Sequence, residues 1–341
     1  MLSRVAESTY WMGRQVERAE NMARFLEVTL ELTLEQSEYL VDPWLPLVQA
    51  TGDVEFFEDK YKIADAENVA NYLAFDSSYH SSMITCLRAA RQNAKGIREM
   101  MSTETFEHLN EFYHFVEQAA NDSSFEMTAR FFDRVRRYCI RWAGVVNTTM
   151  PRDQTWQFIN VGRMLERADK TSRILDVKYY NLLPRMDDVG TAIDDLQWSS
   201  LLSNLTGFEA YRRKYHLIDL KNVLRFLITD RTFTRSILFC VDSVHQSIQA
   251  IDQDCGGHRT TRSQIASLET LEQLADVDVS TLVGGVHEYV DAIQNQLNHI
   301  GDCLVQDYFD DQPVPRDASS ADALPPVEPS AGADQTLLPQ A

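Results

Sequence analysis

The feature that most constrains this chain is a repeat. Residues 13–28 read GRQVERAENMARFLEV and residues 162–177 read GRMLERADKTSRILDV, identical at eight positions, with Glu20/Asp169 and Glu27/Asp176 conservatively exchanged. A second match follows in the same order. Asp65, Asn68, Val69, Leu73, Asp76, Ser82 and Cys86 correspond to Asp219, Asn222, Val223, Leu227, Asp230, Ser236 and Cys240, and the offset moves only from 149 to 154. Two collinear matches predict a tandem duplication, with halves of about 1–150 and 151–309 packed about a pseudo-two-fold axis.

The periodicity of both copies is helical. From about Ser3 to Glu38 the residues Met12, Val16, Ala19, Ala23, Leu26 and Leu30 recur at alternating steps of four and three, the seam of a long bundled helix. A break is expected at Asp42-Pro43-Trp44-Leu45-Pro46, and helical patterning resumes near Val54. Interruptions fall near Asp76 and Asn121–Ser124 before a break at Met150-Pro151. Residues 155–181 repeat the opening helix and end before Pro184. With only 13 Gly and 10 Pro in 341 residues, there is little punctuation for a strand-rich fold. The expected fold is an all-α helical bundle. From Asp310 the chain turns to Pro, Ala, Ser and Asp, a composition that cannot bury enough apolar area to offset ordering entropy. Residues 310–341 are therefore read as a disordered acidic tail.

Charge and cysteine usage narrow the function classes. The net charge of −19 opposes binding to a phosphate backbone, so no nucleic acid partner is expected. Five scattered cysteines without a Cys-x-x-Cys pair argue against disulfides or thiolate zinc. Neither an apolar leader nor a bilayer-length apolar run is present, which together predict a cytoplasmic protein without membrane insertion.

On a helical wheel Gly13, Glu17, Glu20 and Arg24 share one stripe beside Met12, Val16, Ala19 and Ala23. Gly162, Glu166, Asp169 and Arg173 do the same beside Val161, Leu165, Ala168 and Ser172. Arg14 and Arg18, like Arg163 and Arg167, project from another side, with Arg14 three residues from Glu17 and Arg163 three from Glu166, within reach for pairing. A mid-helix glycine costs about 1 kcal/mol relative to alanine, so Gly13 and Gly162 point to close approach of another backbone or a ligand. Two readings of the stripes stand side by side. They interlock as buried ion pairs that fix the register of the halves, or they face each other across a cleft. Raised carboxyl pKa values there would serve acid/base work, a cation or an amine.

The opening MLSRVAESTYWMGRQVERAENMARFLEVT, the repeat NVGRMLERADKTSRILDV, and the segments CLRAARQNAKGIREMMS, EAYRRKY and FLITDRTFTRSILFC resemble the bacterial alpha-E family over almost all of residues 1–309. The resemblance implies an all-helical domain encoded beside, or fused to, a circularly permuted ATP-grasp protein, often near a transglutaminase-like or peptidase-like protein. The implied setting is an amide-ligase or peptide-modification system with a peptide substrate. Carried over residue by residue, the motif gives Arg14, Glu17 and Arg18, and Arg163, Glu166 and Arg167. No Gly-x-x-x-x-Gly-Lys-Ser/Thr loop occurs, so ATP chemistry would come from the partner and no cofactor is assigned to this chain. The leading expectation is an accessory or binding protein presenting a cleft lined by Arg14, Glu17, Arg18, Glu20, Arg24, Arg163, Glu166, Arg167, Asp169 and Arg173. The alternatives are an enzyme using Glu17 and Glu166 as acid and base, and purely structural ion pairs.

Other constellations are weaker. Arg130, Arg134, Arg137 and Arg141 form one helical stripe, and Tyr211-Arg212-Arg213-Lys214-Tyr215 is a second basic run. Each reads first as neutralising acidic helices of the same chain and second as an anion-binding face. Glu111-x-x-His114 and Asp242-x-x-His245 are spaced like carboxylate–histidine metal elements, but they are not equivalent in the repeat, and no metal site is assigned to them.

Overall fold

A computed structural model describes residues 1–35, 44–51, 53–181, 192–254, 260–282 and 285–310. Residues 1–149 and 154–304 contribute seven α-helices each among the described residues, and no strand occurs among them. The first series is α1 (Ser3–Glu35), α2 (Trp44–Thr51), α3 (Val54–Tyr61), α4 (Ala66–Ala74), α5 (Met83–Gly96), α6 (Thr103–Asn121) and α7 (Ala129–Thr149). The second is α8 (Gln154–Asn181), α9 (Ala192–Asn204), α10 (Phe208–Tyr215), α11 (Leu220–Ile228), α12 (Ile237–Asp254), α13 (Arg262–Asp276) and α14 (Val286–Leu304). Trp44 and Pro46, expected in a break, instead open α2, where the first turn has no intrahelical donor for proline to lose. Pro184, Cys255 and the tail beyond Asp310 lie outside the described residues. No described helix is long and apolar enough to cross a membrane.

The helix ends show why the second sequence match recurs. Asp65 and Asp219 are N-caps whose carboxylates accept from the backbone N–H groups of Asn68 and Asn222, starting α4 and α11. Ser82 and Ser236 do the same for α5 and α12, accepting from Thr85 and Phe239. Asp76 tightens its turn by accepting from the Ser78 N–H and hydroxyl and is neutralised by Lys60 at 2.8 Å. Asp230 repeats this with Thr232 and with Lys214 at 2.6 Å. Even the backbone exceptions recur at the same offset, because Lys62 (φ 64°) and His216 (φ 62°) both end a short helix in the left-handed region. Between the halves, Met150 is extended (ψ 138°), as the residue before Pro151 must be, and this stops α7.

The same packing scheme occurs twice. α1 packs on α5, α7 and α8, while α8 packs on α1, α12 and α14, and the outer helices follow as α5–α6–α7 and α12–α13–α14. α1 and α8 are thus enclosed on several sides. Residues 19–27 of α1 and 158–172 of α8 are buried without a break, although both runs contain charged residues. Such helices are tolerable only when their charges find partners inside. Residues 1–310 form one compact unit.

Candidate functional site

The two repeated motifs meet where α1 crosses α8, and the glycines permit the contact. A β-carbon on Gly13 would lie 2.4 Å from the Ile159 carbonyl oxygen, and one on Gly162 would lie 2.2 Å from that of Tyr10. Both obstacles are backbone, which cannot swing away. The repeated glycine is therefore a requirement of backbone approach.

That approach brings each glutamate to the arginines of the opposite half. Glu166 accepts from Arg18 through Nε at 2.6 Å and Nη2 at 2.9 Å, and from Arg14 Nε at 2.9 Å. Reciprocally, Glu17 accepts from Arg167 through Nε at 2.6 Å and Nη2 at 2.8 Å, with Arg163 Nε at 3.7 Å. Sequence spacing pointed to pairing within a helix, Arg14 with Glu17 and Arg163 with Glu166. The structure replaces this with exchange between halves, because both glutamates point into the crossing. Bidentate Arg–carboxylate geometry adds directionality to charge.

Glu20 and Asp169 extend the network along their own helices. Arg24 Nε donates to Glu20 at 2.9 Å and Arg173 Nε to Asp169 at 2.9 Å, both four residues apart. All ten motif residues singled out in the sequence therefore belong to two ion-pair networks, one around Glu166 and Asp169 and one around Glu17 and Glu20. Sequence reasoning missed the third cation on each side. Lys170 reaches Asp169 at 3.2 Å and Glu166 at 3.9 Å. Arg235, from the loop before α12, donates to Glu20 at 2.6 Å and to Asn21 Oδ1 at 3.0 Å and lies 3.4 Å from Glu17. At the repeat offsets Lys170 corresponds to Asn21 and Arg235 to Ser81, whose hydroxyl accepts from Arg18 at 3.2 Å. Position 81/235, next to the repeated serine, carried a readable signal in its change from serine to arginine.

The two central glutamates are sealed from solvent, while Arg14, Arg18 and Arg173 are partly exposed. Glu17 is 1% exposed and Glu166 0%. Burial alone would raise the Glu166 pKa, but Arg18, Arg14 and Lys170 more than reverse this and hold it well below the carboxylate range. At Glu20 burial is likewise outweighed, by Arg235, Arg24 and Arg167, leaving a pKa of about 2. Asp169 is lowered by Lys170 and Arg173 against its burial. The expectation of raised carboxyl pKa values fails at these three groups, because guanidinium and ammonium groups, not apolar walls, surround them. The cations respond unequally. Arg18 and Arg167 are stabilised in their charged form by the glutamates that they grip, against the opposing effect of burial. Arg163 is shifted the other way by burial and by neighbouring Arg167, and no hydrogen bond to it is present among the described residues. Its counterpart Arg14 donates to the Tyr10 hydroxyl at 2.9 Å, but Ile159 stands at the equivalent of Tyr10 and offers none.

The weaker constellations resolve separately. Arg130, Arg134, Arg137 and Arg141 lie on the exposed side of α7. Arg137 pairs with Asp133 at 2.6 Å, and Arg134 stacks over Phe115 at 4.4 Å. It is Arg136, outside that stripe, that reaches across to Glu27, at 3.1 Å. In the second half Asp176 replaces Glu27 and meets His287 of α14 at 2.6 Å. Glu111 faces His108 at 3.5 Å, His114 pairs with Glu117, and His245 bonds Ser267 Oγ at 2.9 Å.

A family model described as a predicted alpha-helical domain with a conserved ER motif, alpha-E, matches residues 1–309. An uncharacterised protein of Mycobacterium bovis is 21% identical over 326 residues, covering 88% of this chain and 36% of its own length. Two uncharacterised proteins of Mycobacterium tuberculosis match to the same extent. The chain thus spans about a third of the length of these curated relatives. No solved structure matches. The chain belongs to the alpha-E family, and the Glu-Arg pairs at 17–18 and 166–167 form the centre of its helix crossing.

Proposed function

We propose that this alpha-E protein is a rigid, non-catalytic accessory module of an ATP-grasp-dependent peptide-modification system, acting in the cytoplasm beside a circularly permuted ATP-grasp amide ligase. A transglutaminase-like protein is the second expected partner. The observation that carries this reading is the burial of the motif's two glutamates. A general base needs an accessible lone pair and a pKa near the working pH. Glu17 and Glu166 instead spend their oxygens on arginines of the opposite half, and both are withdrawn from solvent. The repeated Glu-Arg pairs thus serve as a clamp between halves, and recognition of the ligase or its peptide falls to the outer helices. The longer relatives, in which the matched region occupies 36% of the sequence, support a module that operates alongside other sequence.

The test mixes the purified full chain with the ATP-grasp protein encoded beside it and follows co-elution and peptide-dependent ATP consumption. Formation of a complex and a change in ligase turnover are expected. Absence of both would overturn the proposal, as would peptide turnover by the isolated chain with a pH profile that loses one limb in Glu17→Gln.

A further inference from the structure

We infer that the second half carries a binding site for a small organic anion with an aromatic body, in the cavity between α10 and the turn that follows α11. The two halves differ there in a coordinated way. In the first half Phe56 of α3 lies against Tyr72 and Tyr79, with ring centroids 6.3 and 6.1 Å apart. The Tyr79 hydroxyl donates to Asp53 at 2.9 Å, and the Tyr72 hydroxyl donates to the Asp53 carbonyl at 3.3 Å. In the second half the equivalents are Ala210 for Phe56, Phe226 and Phe233 for the two tyrosines, and Gly207 for Asp53. Phe56 lies over the tyrosine pair from the surface, itself 43% exposed, whereas Ala210 in its place borders an open cavity of about 630 Å³. That volume lies within the range of small-molecule sites, roughly 300–1,000 Å³.

The chemistry of the walls changes with the space. Phe226 and Phe233 stack at 4.3 Å and form an apolar wall without the hydroxyls of the first half, with Phe233 keeping a 9% exposed edge. Gly207 lets the start of α10 lie against them, since a β-carbon there would be 2.8 Å from the Phe233 ring. Arg213 stands where the first half has Asp59, so the rim changes from anionic to cationic. Arg213 is exposed and has no hydrogen-bond or ion-pair partner among the described residues, unlike the adjacent Lys214, which is held by Asp230. Thr206 also lines the cavity, in the left-handed region at φ 53°, where the first half's sequence has Gly52. A β-branched residue in that region is strained, and such strain concentrates at sites with a use for the side chain. A free guanidinium and threonine hydroxyls lining the same cavity as the phenylalanine wall select a carboxylate attached to a flat apolar group. The fold does not require the alanine, because in the other half the equivalent helix carries Phe56 at this position. The inference stands independently of the ligase partnership.

The experiment titrates the full chain with para-fluorobenzoate followed by fluorine NMR, with neutral para-fluorobenzyl alcohol as the comparison. Saturable broadening is expected for the benzoate alone. Ala210→Phe, which copies Phe56, should abolish it with the thermal unfolding midpoint retained. Arg213→Asp, which copies Asp59 at an exposed position, should weaken it by about tenfold. Should Ala210→Phe not fold, the Arg213→Asp comparison decides alone. Absence of saturable binding, equal binding of the alcohol, undiminished binding by folded Ala210→Phe, or unchanged affinity in Arg213→Asp would each overturn the site.

Discussion

Replacing Gly162 with alanine puts the helix crossing to its sharpest test. The added β-carbon would sit 2.2 Å from the Tyr10 carbonyl oxygen and 3.1 Å from the Arg14 backbone nitrogen, about 1.2 Å inside the 3.4 Å at which ordinary contact begins. Neither atom can rotate aside, so α8 must move from α1 by roughly that amount. The Arg18–Glu166 and Arg167–Glu17 bonds of 2.6–2.9 Å would then stretch to the limit of hydrogen bonding or beyond it. Overpacking costs about 1–3 kcal/mol, and loosening buried ion pairs adds part of the roughly 3–5 kcal/mol that breaking one costs. Better helix propensity returns only about 1 kcal/mol. The net expectation is a loss of about 3 kcal/mol or more in urea unfolding followed by circular dichroism. Gly144→Ala in α7 is the matched control. No atom lies within 4 Å of its β-carbon, so the same substitution should stabilise by about 0.5–1 kcal/mol. Gly13→Ala should resemble Gly162→Ala, and the double variant should cost less than the sum, because one separation relieves both clashes. A Gly162→Ala protein as stable as wild type would refute the crossing.

Three further outcomes follow from the cluster and its surroundings. Glu166→Gln should destabilise by about 3–5 kcal/mol by leaving the partly buried Arg14 and Arg18 and the buried Lys170 without their carboxylate, whereas Arg163→Met, which removes the most distant of the three cations at Glu17, should cost less than Glu166→Gln in the same urea titration. The Asp176 hydrogen bond raises the His287 pKa above the ordinary 6.5, so the stability it contributes is complete below that value and disappears as pH rises through the folded-state pKa; in an NMR titration Asp176→Asn should return His287 towards 6.5, and an unchanged midpoint would contradict the pairing. Burial pushes the thiols of Cys86 and Cys240 up to about 12, so alkylation mapped by mass spectrometry should spare both in the native protein and reach them on unfolding, while rapid native labelling of either would show the core to be open.

The fold was legible where local rules act alone. The apolar spacing around Met12, Val16 and Ala19 located α1, and the second copy located α8. Asp65 and Ser82 stood out by recurring, and their reason for recurring is capping, a local interaction. The site was legible only in part. A helical wheel gives the angle of a side chain but not its partner, so Arg14 and Glu17, three residues apart, read as a pair although each binds the opposite half. The same wheel placed the acids beside apolar residues, which pointed to raised pKa values. Arg235 and Lys170, which help to reverse that sign at Glu20 and Glu166, come from a loop and from a position where the copies differ, and a search for identities passes over both.

The uneven placement of Lys170 and Arg235 makes the halves non-interchangeable. Each glutamate has three basic neighbours, two from the opposing motif and a third from a position at which the copies diverge. Two first halves associated in the same manner would offer Asn21 and Ser81 at both places and leave each glutamate one cation short. Two second halves would bring Lys170 and Arg235 to the same carboxylate and crowd four. Only the unlike pairing places three cations around each carboxylate. Separately expressed halves should therefore favour each other over themselves.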